Sequence, residues 1–326
     1  MIHRYTRHFR RLYLSLMLVL ASFPAQALTD DTVSLLKRHA GFTDDQIAEV
    51  KRGNRVVRML DTGSQSEVAF VGVTRLPISL TEYLERVRAG SLYRTGDIIL
   101  QFGRFAESPS IADLKPLHFG SFDLRSGTSG DAASSQSNKE WLMSSIREYE
   151  KDGALGIGPL GERPKPIDRA KDFEPMVKQA TYLRERMPAA YEYLLRYPNV
   201  RSRGPEDFFI WKQMTFGFRP LTRIAQVSIW QDVRFGRQEA IVLMKQIYAN
   251  RYFQASFQID HLVSDNSDPN HPAVYLISLN RGRSEFLGGL SGKVIRPVVL
   301  SRTQTTTEKT LDQARRDFET EFQRVN

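Results

Sequence analysis

From Pro205 onward the chain reads as a succession of strands: Thr222 to Trp230, Glu239 to Tyr248, Tyr252 to Val263 and Ala273 to Arg281. The connectors Asp232 to Arg237, Ala249 to Arg251 and Ser264 to Pro272 are too short for a helical crossover, so neighbouring strands are expected to pair antiparallel. In Tyr252 to His261 the apolar set Phe253, Ala255, Phe257 and Ile259 alternates with Gln254, Ser256, Gln258 and Asp260, which predicts one buried face and one wet or polar-lined face. A meander of this kind must bury its apolar face against another layer. The C-terminal stretch supplies one, because Thr305 to Phe322 sets Leu311, Ala314, Phe318 and Phe322 on one side of a helix.

The first part of the chain adds shorter elements. Asp30 to Arg52 has helical spacing with a break at Gly41-Phe42-Thr43 and a stop at Gly53-Asn54. Arg55 to Leu60 and Glu67 to Arg75 are Val-rich around a Gly-Ser-Gln-Ser turn and predict a β-hairpin. Pro77 ends the second strand, and Ser79 with Glu82 forms a capping-box pattern that opens a helix over Leu80 to Arg88. Asp97 to Phe105 returns to strand character. Ala106 to Pro205 then holds more than half of the fifteen prolines, a Gly/Ser-rich tract from Ser126 to Ser137, and helix-like pieces near Lys139 to Lys151 and Asp172 to Arg196. It reads as a helical insertion with loose loops, the Ser126 to Ser137 tract being a mobile linker.

The first 27 residues run from a basic stretch through an apolar segment, Leu12 to Phe23, to the small residues Ala25-Gln26-Ala27. That is the order of a secretory signal peptide, with cleavage expected after Ala27 and a periplasmic or secreted mature chain. The apolar segment is too short to cross roughly 30 Å of hydrocarbon as a helix. Losing Arg4, Arg7, Arg10 and Arg11 lowers the net charge from +9 to +5. The remaining cations are interspersed with Asp and Glu, so nucleic acid is not an expected partner, whereas peripheral contact with anionic lipid head groups is compatible with the charge. The absence of cysteine excludes disulfides, thiol chemistry and Cys-ligated metals.

Motifs for specific chemistry are weak. Gly156-Ile157-Gly158-Pro159-Leu160-Gly161 matches a dinucleotide fingerprint in spacing alone, with no apolar strand before it and prolines where the helix would begin. His39, His118, His261 and His271 form no metal-binding helix pair, and His261 follows Asp260 on a strand, where adjacent side chains face opposite ways. No Gly-x-Ser-x-Gly elbow occurs. Neither a metal nor another cofactor is expected. The densest polar and aromatic stretch is Lys245 to Tyr252, with Asn280-Arg281-Gly282-Arg283 after a later strand. Strict alternation puts Gln246 and Tyr248 on one face, Lys245 and Ile247 on the other.

Val68-Ala69-Phe70-Val71-Gly72-Val73-Thr74-Arg75-Leu76-Pro77-Ile78-Ser79-Leu80-Thr81-Glu82-Tyr83-Leu84, followed much later by Phe286 to Phe322, resembles the opening strand, small helix and closing helix of the START and polyketide-cyclase-like (SRPBCC) helix-grip superfamily. The chain also resembles uncharacterised exported bacterial proteins around Lys245 to Tyr252 and Tyr275 to Arg283. The resemblance implies an α+β fold: residues 28–326 as one domain, a curved antiparallel sheet wrapped on the C-terminal helix, with the 106–205 segment inserted. It further implies an apolar cavity between sheet and helix, the alternative being that Phe253, Phe257, Tyr275 and Phe318 fill that space. The expected occupant is a hydrophobic small molecule or lipid, touched by Trp211, Gln246, Tyr248, Tyr252, Phe257 and Arg281, with Trp211 at the entrance or in the core. Two other functions remain open. One is an exported enzyme for an apolar or polyketide-like substrate, using Tyr248, Lys245 or Asp260. The other is an envelope interaction module built on the insertion.

Overall fold

The computed structural model describes residues 28–94, 98–119, 132–160, 165–200, 205–215, 219–234, 237–268 and 270–325. The expected leader, residues 1–27, lies outside them. Thr29 and Thr43 open α1 (Asp30–Ala40) and α2 (Asp44–Lys51) by accepting from the backbone N–H groups of Thr32 and Gln46. Gly41, at φ 66°, makes the left-handed turn between them. The hairpin follows as β1 (Val56–Leu60) and β2 (Glu67–Leu76). Ser79 caps α3 (Leu80–Ala89) through the Glu82 N–H, while the Glu82 carboxylate accepts from Arg86 at 2.6 Å; the capping box is thus half made and its acid spent on a helix-face ion pair.

After β3 (Ile99–Arg104) come α4 (Ala132–Asp152), β4 (Gly156–Ile157), β5 (Lys165–Pro166), α5 (Glu174–Lys178), α6 (Thr181–Arg186) and α7 (Pro188–Arg196). The long strands are β6 (Glu206–Met214), β7 (Leu221–Arg234), β8 (Arg237–Ala249), β9 (Ala255–Asp265) and β10 (Ala273–Arg283), and α8 (Gly289–Val325) closes the chain. In the sheet the order is β1-β2-β10-β9-β8-β7-β6-β3 with every neighbour antiparallel, so the first hairpin is joined to the last strand. β4 adds a two-residue parallel pairing to the end of β8, and β5 pairs with β4.

Both faces of this sheet are covered. On one, Ile210, Val227, Val242, Met244, Leu262 and Leu276 pack with Leu80, Leu84 and Val87 of α3 and with Leu311 and Phe318 of α8. On the other, Trp211, Ile224, Ile241, Ile259 and Ile277 pack with side chains of α1, α2 and the helices α4 to α7. The helices of the 106–205 segment, together with α1 and α2, therefore form a second helical layer on the sheet. Of the tract expected to be a linker, Ala132 to Ser137 form the first turns of α4, and the preceding residues lie outside those described. The last helix begins sixteen residues earlier than its periodicity predicts and runs over the β1–β2 edge. A Cβ built on Gly72 of β2 would sit 2.9 Å from Leu311 Cδ1, which marks how closely α8 approaches. α3 covers β8 and β9 beside it, and the Arg86 guanidinium lies 4.8 Å from the Phe318 ring centroid, joining the two helices.

Candidate ligand-binding site

Alternation along β6 directs Phe208, Ile210 and Lys212 to the α3/α8 side, and along β7 it directs Arg223, Ala225 and Val227 the same way. Lys212 and Arg223 are direct cross-strand partners, so two cations stand side by side in an apolar layer. Lys212 is only 6% exposed. Its Nζ lies 4.2 Å from the Tyr93 ring centroid and 3.8 Å from Met244 Sδ, and Arg223 Nη2 lies 3.3 Å from the same sulfur. A thioether is a weak acceptor, and Arg223 Nε and the Tyr93 hydroxyl are buried without a hydrogen-bond partner.

Local structure explains how Tyr93 arrives there. Gly90 ends α3 at φ 72°, and its α-carbon passes so close to the Phe102 ring that a Cβ would meet it at 2.6 Å. The chain then makes the short 3₁₀ turn Ser91–Tyr93, which brings the Tyr93 ring over the sheet, 5.9 Å from that of Phe102.

Asp260, on β9 and equally buried, is the acid of this layer. Its carboxylate accepts from Gln258 Nε2 at 2.8 and 3.0 Å and from Ser278. Burial raises its pKa against the opposing effect of those bonds and of Lys212. Burial, reinforced by Arg223, holds Lys212 well below the usual lysine range, with Asp260 opposing only in part. Burial also pulls Arg223 down to about 10 and pushes the Tyr83 and Tyr93 phenols up. The layer therefore holds an excess of donors and of positive charge in a low-dielectric setting.

The six residues expected at the site are not gathered in one place. Phe257 and Arg281, cross-strand partners on β9 and β10, lie on the opposite face with Gln179 and Tyr182. There they line a crevice enclosing about 10 Å³, room for one water. Arg281 pairs with buried Glu67 and donates to Gln179 Oε1 at 3.0 Å, and Phe257 packs edge-on against Phe173. Trp211 is core on that same face, donating from Nε1 to the Asp113 carbonyl at 3.0 Å, and does not stand at an entrance beside α8. Tyr248 donates to the Gly158 carbonyl at 2.7 Å. Gln246 bonds the Phe253 carbonyl and the Ser256 hydroxyl, and Tyr252, at φ 65° in the β8–β9 turn, packs edge-on against Phe286.

The separation of Gln246 from Tyr248 has a specific cause. Ile224 pairs with Tyr248 and Ala225 with Gln246, so Ile247 is an extra residue in β8. This β-bulge turns Tyr248 to the face opposite Gln246, overturning the strict alternation that had put them together. Lys245, Tyr248 and Asp260 likewise fail to meet: Lys245 Nζ donates to the Leu194 carbonyl at 3.3 Å, and each of the three bonds to other groups. Asp260 and His261 do face opposite ways. His261 is enclosed behind the sheet, where its Nδ1 lies 2.7 Å from the Tyr182 hydroxyl and its Nε2 lies 3.1 Å from Glu239. Among the described residues no group of three or more His, Cys, Asp and Glu is placed to hold a metal ion.

Sequence reasoning named Asp260 but passed over Lys212, Arg223 and Tyr93. The signal was present for the cations: each shares a strand face with apolar residues, Lys212 with Phe208 and Ile210, Arg223 with Ala225, Val227 and Ile229. No protein-family model, curated protein or solved structure matches the chain. Among the described residues, no helix is long and apolar enough to cross a membrane.

Proposed function

We propose that the chain is an exported helix-grip protein of START/polyketide-cyclase-like type that holds a hydrophobic small molecule or lipid between the sheet and the α3/α8 layer. An antiparallel sheet with a capped short helix and a long terminal helix on one face is the arrangement that the resemblance implies. The observation that carries the reading is the layer itself: apolar over most of its area, with a few buried polar groups to orient an occupant. Its side chains pack on one another, so a ligand enters by moving α3 and α8 off the sheet, and slow association is expected. Native mass spectrometry and solvent extraction of the purified protein test this. A co-purifying apolar compound, or saturable binding of an environment-sensitive apolar dye, is the expected result. Repeated absence of both ends the reading.

Lys212 favours one alternative, an enzyme acting on an apolar or polyketide-like carbonyl compound. Burial, reinforced by Arg223, lowers the pKa of Lys212, so its ammonium gives up a proton more readily than an exposed lysine does, and the free amine can then attack a carbonyl carbon, losing water to form an imine. Borohydride reduction in the presence of a long-chain methyl ketone would then fix an adduct on Lys212, and an unmodified Lys212 peptide excludes this chemistry. An interaction module built on the 106–205 segment has less support. That segment buries Leu142, Ile146, Phe173 and Leu183 and exposes Ile111, whereas Phe286, Val294, Ile295 and Val298, four exposed apolar side chains, lie near the start of α8.

A further inference from the structure

Lys212 and Arg223 lie in the layer proposed to hold the ligand, so a role for them in recognition rests on that reading. Between them the two side chains offer eight N–H donors, and the acceptor they converge on is one thioether sulfur. Asp260, the nearby carboxylate, is already engaged by Gln258 and Ser278 and makes no ion pair with either cation within 4.0 Å. Two cations directly opposite each other on neighbouring strands repel, and burial raises the cost. Such an arrangement does not favour the unliganded fold. It suits an occupant that brings acceptor oxygens and negative charge.

The formal charge sets how much. Lys212 and Arg223 against Asp260 leave one positive charge uncompensated, which a monoanion closes and a dianion would overshoot. Ile210 and Ala225 are the next cross-strand pair on the same face, with Phe208 and Val227 beyond them, and offer an apolar bed for whatever is attached to the anion. We propose that the ligand is an amphiphile with a single carboxylate head, and that Lys212 and Arg223 are the residues that bind that head while the apolar layer takes the tail. The guanidinium presents the planar fork that matches a carboxylate, and the ammonium, above the Tyr93 ring, adds a second charge-assisted bond.

The test uses the full chain, freed of co-purified lipid, titrated below micellar concentration with dodecanoate and with 1-dodecanol, which share a tail and differ in the head. Dodecanoate is expected to bind at least roughly tenfold more tightly, since hydrogen bonds to charged groups contribute that much. Lys212→Met and Arg223→Met are each expected to remove most of that preference, read as the ratio of dodecanoate to dodecanol affinity within each variant. Unliganded Lys212→Met is expected to melt no lower than the parent chain, because it removes a buried, poorly partnered charge. Equal binding of dodecanoate and dodecanol by the parent chain would overturn the head-group assignment and leave apolar-ligand binding standing. Failure of both to bind would overturn the ligand reading itself. A lowered melting temperature in Lys212→Met with the dodecanoate preference intact would make the cations structural.

Discussion

Two buried lysines show what the same residue type can do in different surroundings. Lys245 lies behind the sheet with its Nζ bonded to the Leu194 carbonyl, 5.0 and 4.6 Å from the ring centroids of Tyr149 and Phe173. Those contacts give it a packing role, tying α7 to β8. Lys212 has a ring and a thioether and no oxygen acceptor, which is why it and not Lys245 belongs to the candidate site. Burial, with a smaller effect of Arg169, holds Lys245 well below its ordinary 10.5. The unfolded chain therefore binds more protons than the folded one between the two values, and linkage makes stability rise with pH across that window. Urea unfolding at pH 7 and pH 9.5 should show the parent chain gaining on Lys245→Met as pH increases. A difference that does not change with pH would mean the amine is not desolvated. At this scale alternation correctly separated Asp260 from His261 but misjudged Gln246 and Tyr248, because a bulge is a mismatch between two strands and leaves no mark in either one alone.

Among the elements, α8 departs furthest from its own sequence. Gly289, Gly292, Val294, Ile295 and Pro297 all disfavour a helix, yet the helix includes them. Tertiary contacts account for the extension: Arg296 Nη1 donates to the carbonyls of Gln65 and Glu67 at 2.6 and 2.7 Å, fastening this early portion to the β1–β2 hairpin. Farther along, Leu311 meets the bare α-carbon of Gly72. Leu311→Ala should cost about 2–4 kcal/mol in chemical denaturation, as truncation of a buried leucine does. Gly72→Ala should destabilise the parent chain yet be close to neutral in the Leu311→Ala background, a coupling of roughly 1 kcal/mol between touching residues. Additive effects would mean that α8 does not rest on β2 at this point.

On the scale of the whole molecule, the sheet is held between two unlike layers. The rear layer is fastened by a buried polar chain. Tyr182 contacts His261, His261 contacts Glu239, Glu239 pairs with Arg186, and Arg186 donates to Asp31 of α1 at 2.6 Å. Because Arg186 is 3% exposed and Glu239 4%, removing the cation leaves a buried carboxylate without its strongest partner. Arg186→Ala is expected to lose about 3–5 kcal/mol of stability. Hydrogen exchange should show protection falling first in α6 and the facing parts of β8 and β9. A loss below about 1 kcal/mol, the range of exposed pairs, would show that this network does not hold the layers together.

By itself the sequence determined the α+β class, the hairpin of β1 and β2, four of the five long strands and their antiparallel pairing, and the amphipathic second half of α8. Each of these follows from periodicity, caps and connector lengths within a few dozen residues, and local physics is enough to read them. Tertiary structure alone decided that the helices of the 106–205 segment would join α1 and α2 in one layer on the sheet. It also carried α8 through glycines and a proline, turned Tyr248 away from Gln246, and brought Lys212, Arg223, Tyr93 and Asp260 to one face. Those outcomes depend on register and packing between segments separated by tens to hundreds of residues. The energies that select them arise only when distant surfaces meet, so no window of the chain contains them.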